Sequence, residues 1–363
     1  MLSVVRILLI ILILFIFVYV INRLLEKRRI IMETKIEGMT SQDEVSSLRS
    51  AAPRIGISNL LSSRTKLPLR EFCIKSSYAS AFSGNYVSSD MVKYVLSRGC
   101  RYLDIPVYYS TKDNIPCVAH IKDPAGIDME SDNKVPLDTI LNIIAANAFA
   151  SLSGGSGSPN PGDPLFVELR VYPDANNLIY DQIAYSITKN FSARRYTDDT
   201  TKKAIMINGD TIVDDLMGSA LFVMNKTIRP EYATVSQDLA NCINAELGGS
   251  TFRLQSYNQM QRQTKNPPIL KDDFQKTNIL VHNTIMPEVT ESYSHPDIIK
   301  MVIDYGVQIT AFSFYKRDDF LNRYEMLFNE YKSGFVPMSY AISYLSNMRS
   351  EMTGKKMALG AFA

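Results

Sequence analysis

The chain has 363 residues, 46% hydrophobic and 21% charged, with 39 Lys and Arg against 37 Asp and Glu. That balance excludes a largely disordered chain, and a net charge of +2 supplies no bulk attraction to nucleic acid. Only three histidines occur, His120, His282 and His295, so a multi-histidine metal centre would need nearly all of them.

The first predicted element is an apolar run. Residues 7–21 carry no charge, and residues 2–5 extend the run across Arg6. A helix needs roughly 20 apolar residues to cross a bilayer. Arg23, Lys27, Arg28 and Arg29 follow it, and basic flanks stay on the cytoplasmic side. Residues 1–25 are therefore expected to be an uncleaved single-pass anchor, touching lipid through residues 2–21, with the body on the cytoplasmic side. No small-residue cleavage site follows, as a signal peptide would require. Residues 1–30 hold five bases and Glu26, a net of +4, which leaves −2 for the rest. The four cysteines show no C-x-x-C spacing and read as free thiols. The sequons at Asn190 and Asn225 matter only if the topology is reversed.

Residues 26–66 are polar and read as a juxtamembrane helix followed by a spacer. Beyond them, short apolar strands alternate with helical patterns. Strands are predicted at 100–107, 117–120, 165–171, 204–207, 221–224, 252–257, 278–282 and 308–314. Helices are predicted at 137–149, 177–191 and 297–305. Residues 151–164, SLSGGSGSPNPGDP, read as a flexible surface loop, and they lack the G-K-[ST] of a phosphate-binding loop. Strand–helix alternation over this length predicts parallel βα units and an α/β, TIM-type (β/α)8 barrel. His282 is expected to end a strand at the rim of that barrel. His295, before Pro296, is expected to be structural.

The segment from Cys73, CIKSSYASAFSGNYVSSDMVKYVLSRGCRYLDIPVYY, followed by IPCVAH, PLFVELRVYP and TIVDDLMGSALFVMNK, resembles the X region of eukaryotic phosphoinositide-specific phospholipase C. SYSHPDIIKMVIDYGVQITAFSFYKRDDFLNRYEMLFNEYKSGFVPM resembles the Y region of that family. The resemblance implies an X-like half barrel at 67–226, a connection at 227–250, a Y-like half at 251–345 and a C-terminal tail at 346–363. It also implies a site for attack of the inositol 2-hydroxyl on its phosphate, served by two histidines and a calcium ion.

Matched residue by residue, that site has decayed. Tyr78 stands at the first histidine, and a phenol titrating near 10 is a poor base at neutral pH. Ala79 replaces a calcium-binding asparagine. Of a Glu-x-Asp pair, Tyr102 and Asp104 remain. His120 matches the second histidine, followed by Ile121 in place of glycine. Arg170 stands at the last acidic ligand and has the wrong charge for calcium. Glu168 and Arg170 are two apart and share one face of a strand, and Asp104, Glu168 and a few carbonyls are the groups that could in principle hold a metal cation. Arg170 is expected to pair with Asp104 or Glu168 as a salt-bridge plug, since an unpaired buried charge is costly. Bacterial relatives use an arginine instead of calcium, yet still need both histidines. In the headgroup region Lys226 and Ser256 remain, while Met224 and Thr284–Pro287 depart from the family pattern.

The sequence thus leads to a membrane-anchored pseudoenzyme of the phospholipase C type, with no cofactor and the calcium site lost. Its expected role is structural, holding a protein partner at a membrane surface, as in the virion or internal membrane of a large DNA virus. Two alternatives stand beside it. One is an active phosphodiesterase with an altered site; the other is a lipid-headgroup-binding module.

Overall fold

A computed structural model describes residues 40–120, 131–172, 176–249, 251–257, 282–286 and 295–360. The expected anchor lies outside these residues. Among the described residues, no helix is long and apolar enough to cross a membrane.

The strands are β1 (Phe72–Ile74), β2 (Ser76–Tyr78), β3 (Tyr102–Ser110), β4 (Ile115–Val118), β5 (Val135–Pro136), β6 (Leu165–Val171) and β7 (Ala220–Asn225). They continue with β8 (Ala245–Leu247), β9 (Phe252–Ser256), β10 (His282–Met286), β11 (Ile309–Thr310), β12 (Phe312–Ser313) and β13 (Phe335–Pro337). The longer helices are α1 (Ser41–Ala51), α2 (Ser89–Ser97), α3 (Leu137–Ala148), α4 (Leu178–Phe191), α5 (Asp319–Glu330) and α6 (Met338–Gly360).

β2, β3, β6, β7, β8, β9, β10 and β11 pair in that order, each parallel to the next. β11 then pairs with β1 and β12 with β2, so the parallel pairings return to their start. β4 folds back antiparallel on the far end of β3, and β13 lies antiparallel on β1.

The residues explain the elements. Every residue of β6, LFVELRV, is buried, as expected of a parallel strand covered on both faces. The Ser88 side chain accepts the Met91 N–H at 3.1 Å and so starts α2. Met91, Val92, Val95 and Leu96 then form its buried stripe. α2 ends at Gly99, whose φ of +78° suits glycine, and a Cβ there would meet the Ile57 side chain at 2.8 Å. Asp318 starts α5 by accepting the Leu321 N–H at 2.8 Å. Burying each large aliphatic or aromatic side chain of this core contributes about 1.5–3 kcal/mol.

Four expectations change. Residues 204–207 do not form a strand; Ala204 makes an isolated bridge to Thr197, and the amides of Ala204, Ile205 and Ile207 donate to Asn241 O, Tyr196 O and Asn244 O instead of to a strand of the sheet. The segment 227–250, expected to be a connection, contributes β8 to the sheet between β7 and β9. A strand of three residues is too short to show periodicity. The spacer within 26–66 includes α1, which packs on the body through Val45. Residues 346–360 of the expected tail belong to α6, and residues 361–363 lie outside the described residues.

The glycine-rich loop also divides in two. Residues 151–156 are exposed, whereas Ser158, Asn160 and Asp163 are fully buried. Arg101, itself fully buried, holds them. It donates to Ala148 O at 2.9 Å, to Ser158 Oγ at 2.8 Å and to Asn160 O. Replacing Arg101 by Met leaves two buried carbonyls without their donor. We expect a loss of about 3 kcal/mol or more, read as a lower midpoint in thermal unfolding of the full chain.

Candidate functional site

The carboxyl ends of the parallel strands carry the residues singled out in the sequence. Tyr78 ends β2, Arg170 lies near the end of β6, and Tyr172 follows it. Asp104 sits on β3, directly across from Glu168 in the β3–β6 register. His120 lies just beyond β4. All six are buried.

Arg170 organises the group. Its Nε lies 3.1 Å from Asp104 Oδ1 and its Nη2 lies 2.8 Å from Oδ2, a two-pronged ion pair. Its Nη1 donates to Tyr78 Oη at 3.0 Å and to Tyr172 Oη at 3.2 Å. The guanidinium carbon also sits 4.6 Å from the Tyr78 ring centre and 5.7 Å from that of Tyr172. Burial works against the Arg170 charge, yet the Asp104 carboxylate holds its pKa above the ordinary range. Asp104 Oδ2 accepts a further bond from Ala79 N at 2.8 Å.

Glu168 lies level with Asp104, across the β3–β6 register. It accepts from Tyr102 Oη at 2.9 Å and from Asn225 Nδ2 at 3.1 Å. Burial, and then the adjacent Asp104 charge, push its carboxyl up to about 8, while Arg170 pulls the other way. Asn225 is itself buried and committed to Glu168, so that sequon is closed in the folded chain.

His120 sits in an aromatic setting. Its ring centre is 4.2 Å from Phe82, 6.1 Å from Tyr78 and 6.1 Å from Tyr315. Its backbone N–H donates to Ser131 Oγ at 3.1 Å. The structure thus gathers Tyr78, Asp104, His120, Glu168 and Arg170 into one region. Lys226 stands apart, paired with Glu246 at 2.9 Å. Ser256 ends β9, level with Met286 of β10.

The other two histidines lie elsewhere. His282 begins β10 rather than ending a strand, which puts it at the amino end of the sheet, away from the rim. Residues 278–281 of the expected strand lie outside the described residues. His295 joins Ser313 O at 2.9 Å to the Asp318 carboxylate at 2.8 Å and stacks on Phe312. Burial holds its pKa below the ordinary value, against the pull of Asp318. The four cysteines are buried free thiols, and burial pushes Cys73 and Cys100 up to about 12.

Sequence reasoning missed Tyr172, Phe82 and Tyr315. Tyr172 was within reach, because it continues the two-residue spacing of Glu168 and Arg170. Phe82 and Tyr315 gave no local signal, since only the fold brings them to His120.

Residues 65–201 match the family model described as phosphatidylinositol-specific phospholipase C, X domain. The PLC21 of S. officinalis superposes with a TM-score of 0.58 at 17% identity, over 76% of this chain and 37% of its own. The PLC21 of L. pealei gives 0.58 at 16% identity, over 75% of this chain and 37% of its own. A calcium-dependent phosphoinositol-specific phospholipase C from Pseudomonas sp. gives 0.47 at 10% identity, over 79% and 100%. This chain therefore spans little more than a third of the length of the PLC21 structures it matches. No curated protein matches the sequence. The resemblance to phosphoinositide-specific phospholipase C read from the X-region motifs is borne out, and the fold is of that α/β phosphodiesterase type.

Two outcomes follow from this geometry. Ala79 holds a φ of +43°, a left-handed conformation that costs a residue with a Cβ about 1 kcal/mol relative to glycine. Ala79→Gly should therefore raise the urea midpoint, by up to about 1 kcal/mol in stability. For Glu168, a folded pKa near 8 means that the native state keeps a proton which the unfolded chain releases above its ordinary value of 4.5. Stability should fall as pH rises through that window and level off above it. Glu168→Gln should flatten the profile, as read from unfolding midpoints between pH 5 and 9.

Proposed function

We propose that this phospholipase-C-type domain is a (β/α)8 barrel that no longer carries out the phosphodiester reaction, and that it serves as a membrane-tethered structural or interaction module. The closed circuit of parallel pairings supports the barrel. The observation that carries the loss of activity is the Arg170 guanidinium, which engages both oxygens of Asp104 and the hydroxyls of Tyr78 and Tyr172.

The chemistry supports the same reading. Attack by a hydroxyl on its neighbouring phosphate needs a base and a countercharge for the developing anion. Tyr78 replaces one of the two expected histidines. The remaining donors do not fit calcium. Ala79 has no side-chain oxygen, both oxygens of Asp104 are taken by Arg170, and Tyr102 is bonded to Glu168.

In this reading residues 2–21 cross a bilayer and the body stands on the cytoplasmic side, facing a protein partner. A virion or internal membrane of a large DNA virus is a setting that suits such an anchored, decayed barrel. Headgroup recognition is weak in this account, because Lys226 is already paired with Glu246.

One observation favours an alternative, an active phosphodiesterase with an altered site. His120 and Arg170 both lie against Tyr78, so a base, a phenol and a cation share one region. Turnover separates the two readings. The full chain, reconstituted in vesicles containing phosphatidylinositol, should release no inositol phosphate with or without calcium. Release that disappears on His120→Ala would establish the alternative.

A further inference from the structure

We propose that α1 is a detachable strap, hinged at its carboxyl end and clasped by Glu44, and that its docking sets the order of the two loops that hold His120. The strap governs how this region is held, and it does so whether or not the site turns over a substrate.

The hinge end is pinned from beyond the helix. Ala52, just past α1, is extended, with φ −79° and ψ 136°, as a residue before proline prefers. Pro53 O accepts from Arg98 Nη1 at 2.7 Å, and Arg54 O accepts from Asn329 Nδ2 at 3.4 Å. Gly56 N donates to Asn329 Oδ1 at 3.2 Å. None of these bonds involves α1 itself, so all of them can outlast its release.

The helix between hinge and clasp is lightly held. Of its 11 residues, Glu44 and Val45 are the two that are buried. Leu48 is partly buried against the core, and Arg49 lies over the Tyr94 ring at 5.6 Å. A reciprocal cap starts the helix, with Thr40 N donating to Asp43 Oδ2 at 2.9 Å and Asp43 N to Thr40 Oγ1 at 3.3 Å. That cap supports the helix and makes no contact with the body. An element with so little buried apolar surface belongs to the low-stability end of a fold.

The clasp holds the amino half. Glu44 accepts from Asn85 Nδ2 at 2.5 Å, from Asn85 N at 3.5 Å and from Ser83 Oγ. All three donors are neutral and sit on the turn between β2 and α2. Bonds to an ionised carboxylate are roughly twice as strong as neutral ones. The turn therefore holds the strap, and the strap orders the turn.

Two routes run from this turn to His120. The first is hydrogen-bonded. Asn85 O accepts from Asp132 N at 2.8 Å, and the adjacent Ser131 is joined to His120 twice. Ser131 N donates to His120 O at 3.2 Å, and His120 N donates to Ser131 Oγ at 3.1 Å. Asn133 closes the loops on each other, accepting from Val87 N at 2.7 Å and donating to Val87 O at 2.9 Å. The second route is through packing. Ser83 follows Phe82, whose ring centre lies 4.2 Å from that of His120.

A chain of contacts is not by itself coupling; coupling needs an element with two states. α1 supplies it. Docked, it makes the clasp; released, it returns Ser83 and Asn85 to water. A partner that binds the released helix more tightly than the docked one shifts this equilibrium and loosens the setting of His120. By linkage, whatever rigidifies His120 favours the docked strap.

Hydrogen exchange of the full chain tests the strap. Glu44→Ala removes the clasp. Val45→Ala loosens α1 and leaves the hydrogen bonds of the network in place. Both should speed exchange in 41–51, 83–87 and 131–133 by about tenfold or more, with β6 unchanged. Faster exchange confined to α1 overturns the coupling. In the unaltered chain, which does not depend on a variant folding, those three segments should open together in urea, at a lower concentration than β6. Independent opening overturns the strap. A third reading comes from the His120 ring signal, identified in a histidine-labelled chain by His120→Gln. In both variants it should move away from the position that the Phe82 ring imposes. A signal that stays in place overturns the link between α1 and His120.

Discussion

The Arg170–Asp104 ion pair is the constraint on which the rest of the site depends. Both groups are buried, and a buried charge that loses its partner costs about 3–5 kcal/mol. The pair therefore has to be made, and making it fixes the neighbours. Tyr78 and Tyr172 are placed to accept the guanidinium's remaining protons and to lie under its face. Asp104, held by Arg170 and Ala79 N, has few remaining directions in which to accept. Glu168, next in line and without a cation of its own, keeps its proton and is satisfied by neutral donors. The positive charge at position 170 thus sets the partners of the whole group.

The backbone beside this pair is held in an unusual conformation. Ala79 adopts a left-handed conformation that asparagine or glycine takes up more readily. Its amide still points at Asp104. The loop holds this shape because both of its flanks are tied down. Ser80 is linked to Asp104 through its amide and its hydroxyl, and Ser83 and Asn85 are clamped by Glu44 of α1. The same clamp that preserves the loop also determines where the N-terminal segment enters the fold.

Much of this was legible in the sequence, for physical reasons that differ by element. β6 could be read to the residue, because a strand covered on both faces is an unbroken apolar run with its exceptions spaced by two. The same spacing placed Glu168 and Arg170 on one face. It could not decide between Asp104 and Glu168 as the partner of Arg170, since that depends on the β3–β6 register. β8 was invisible because three residues carry no period. The role of Glu44 was invisible because a single acid in a polar stretch looks like any solvated residue. Arg101 gave no hint of being the anchor of a loop about fifty residues further on, and the loop's composition pointed to a flexibility that its buried half does not have.

The proposed function turns on Arg170 holding both oxygens of Asp104. The most direct measurement is a crystal structure determined from crystals grown and soaked in calcium. The account predicts that Arg170 Nε and Nη2 remain within hydrogen-bond distance of the two Asp104 oxygens, with no cation between them. A calcium ion bound by Asp104 and Glu168, with Arg170 swung away, would contradict it.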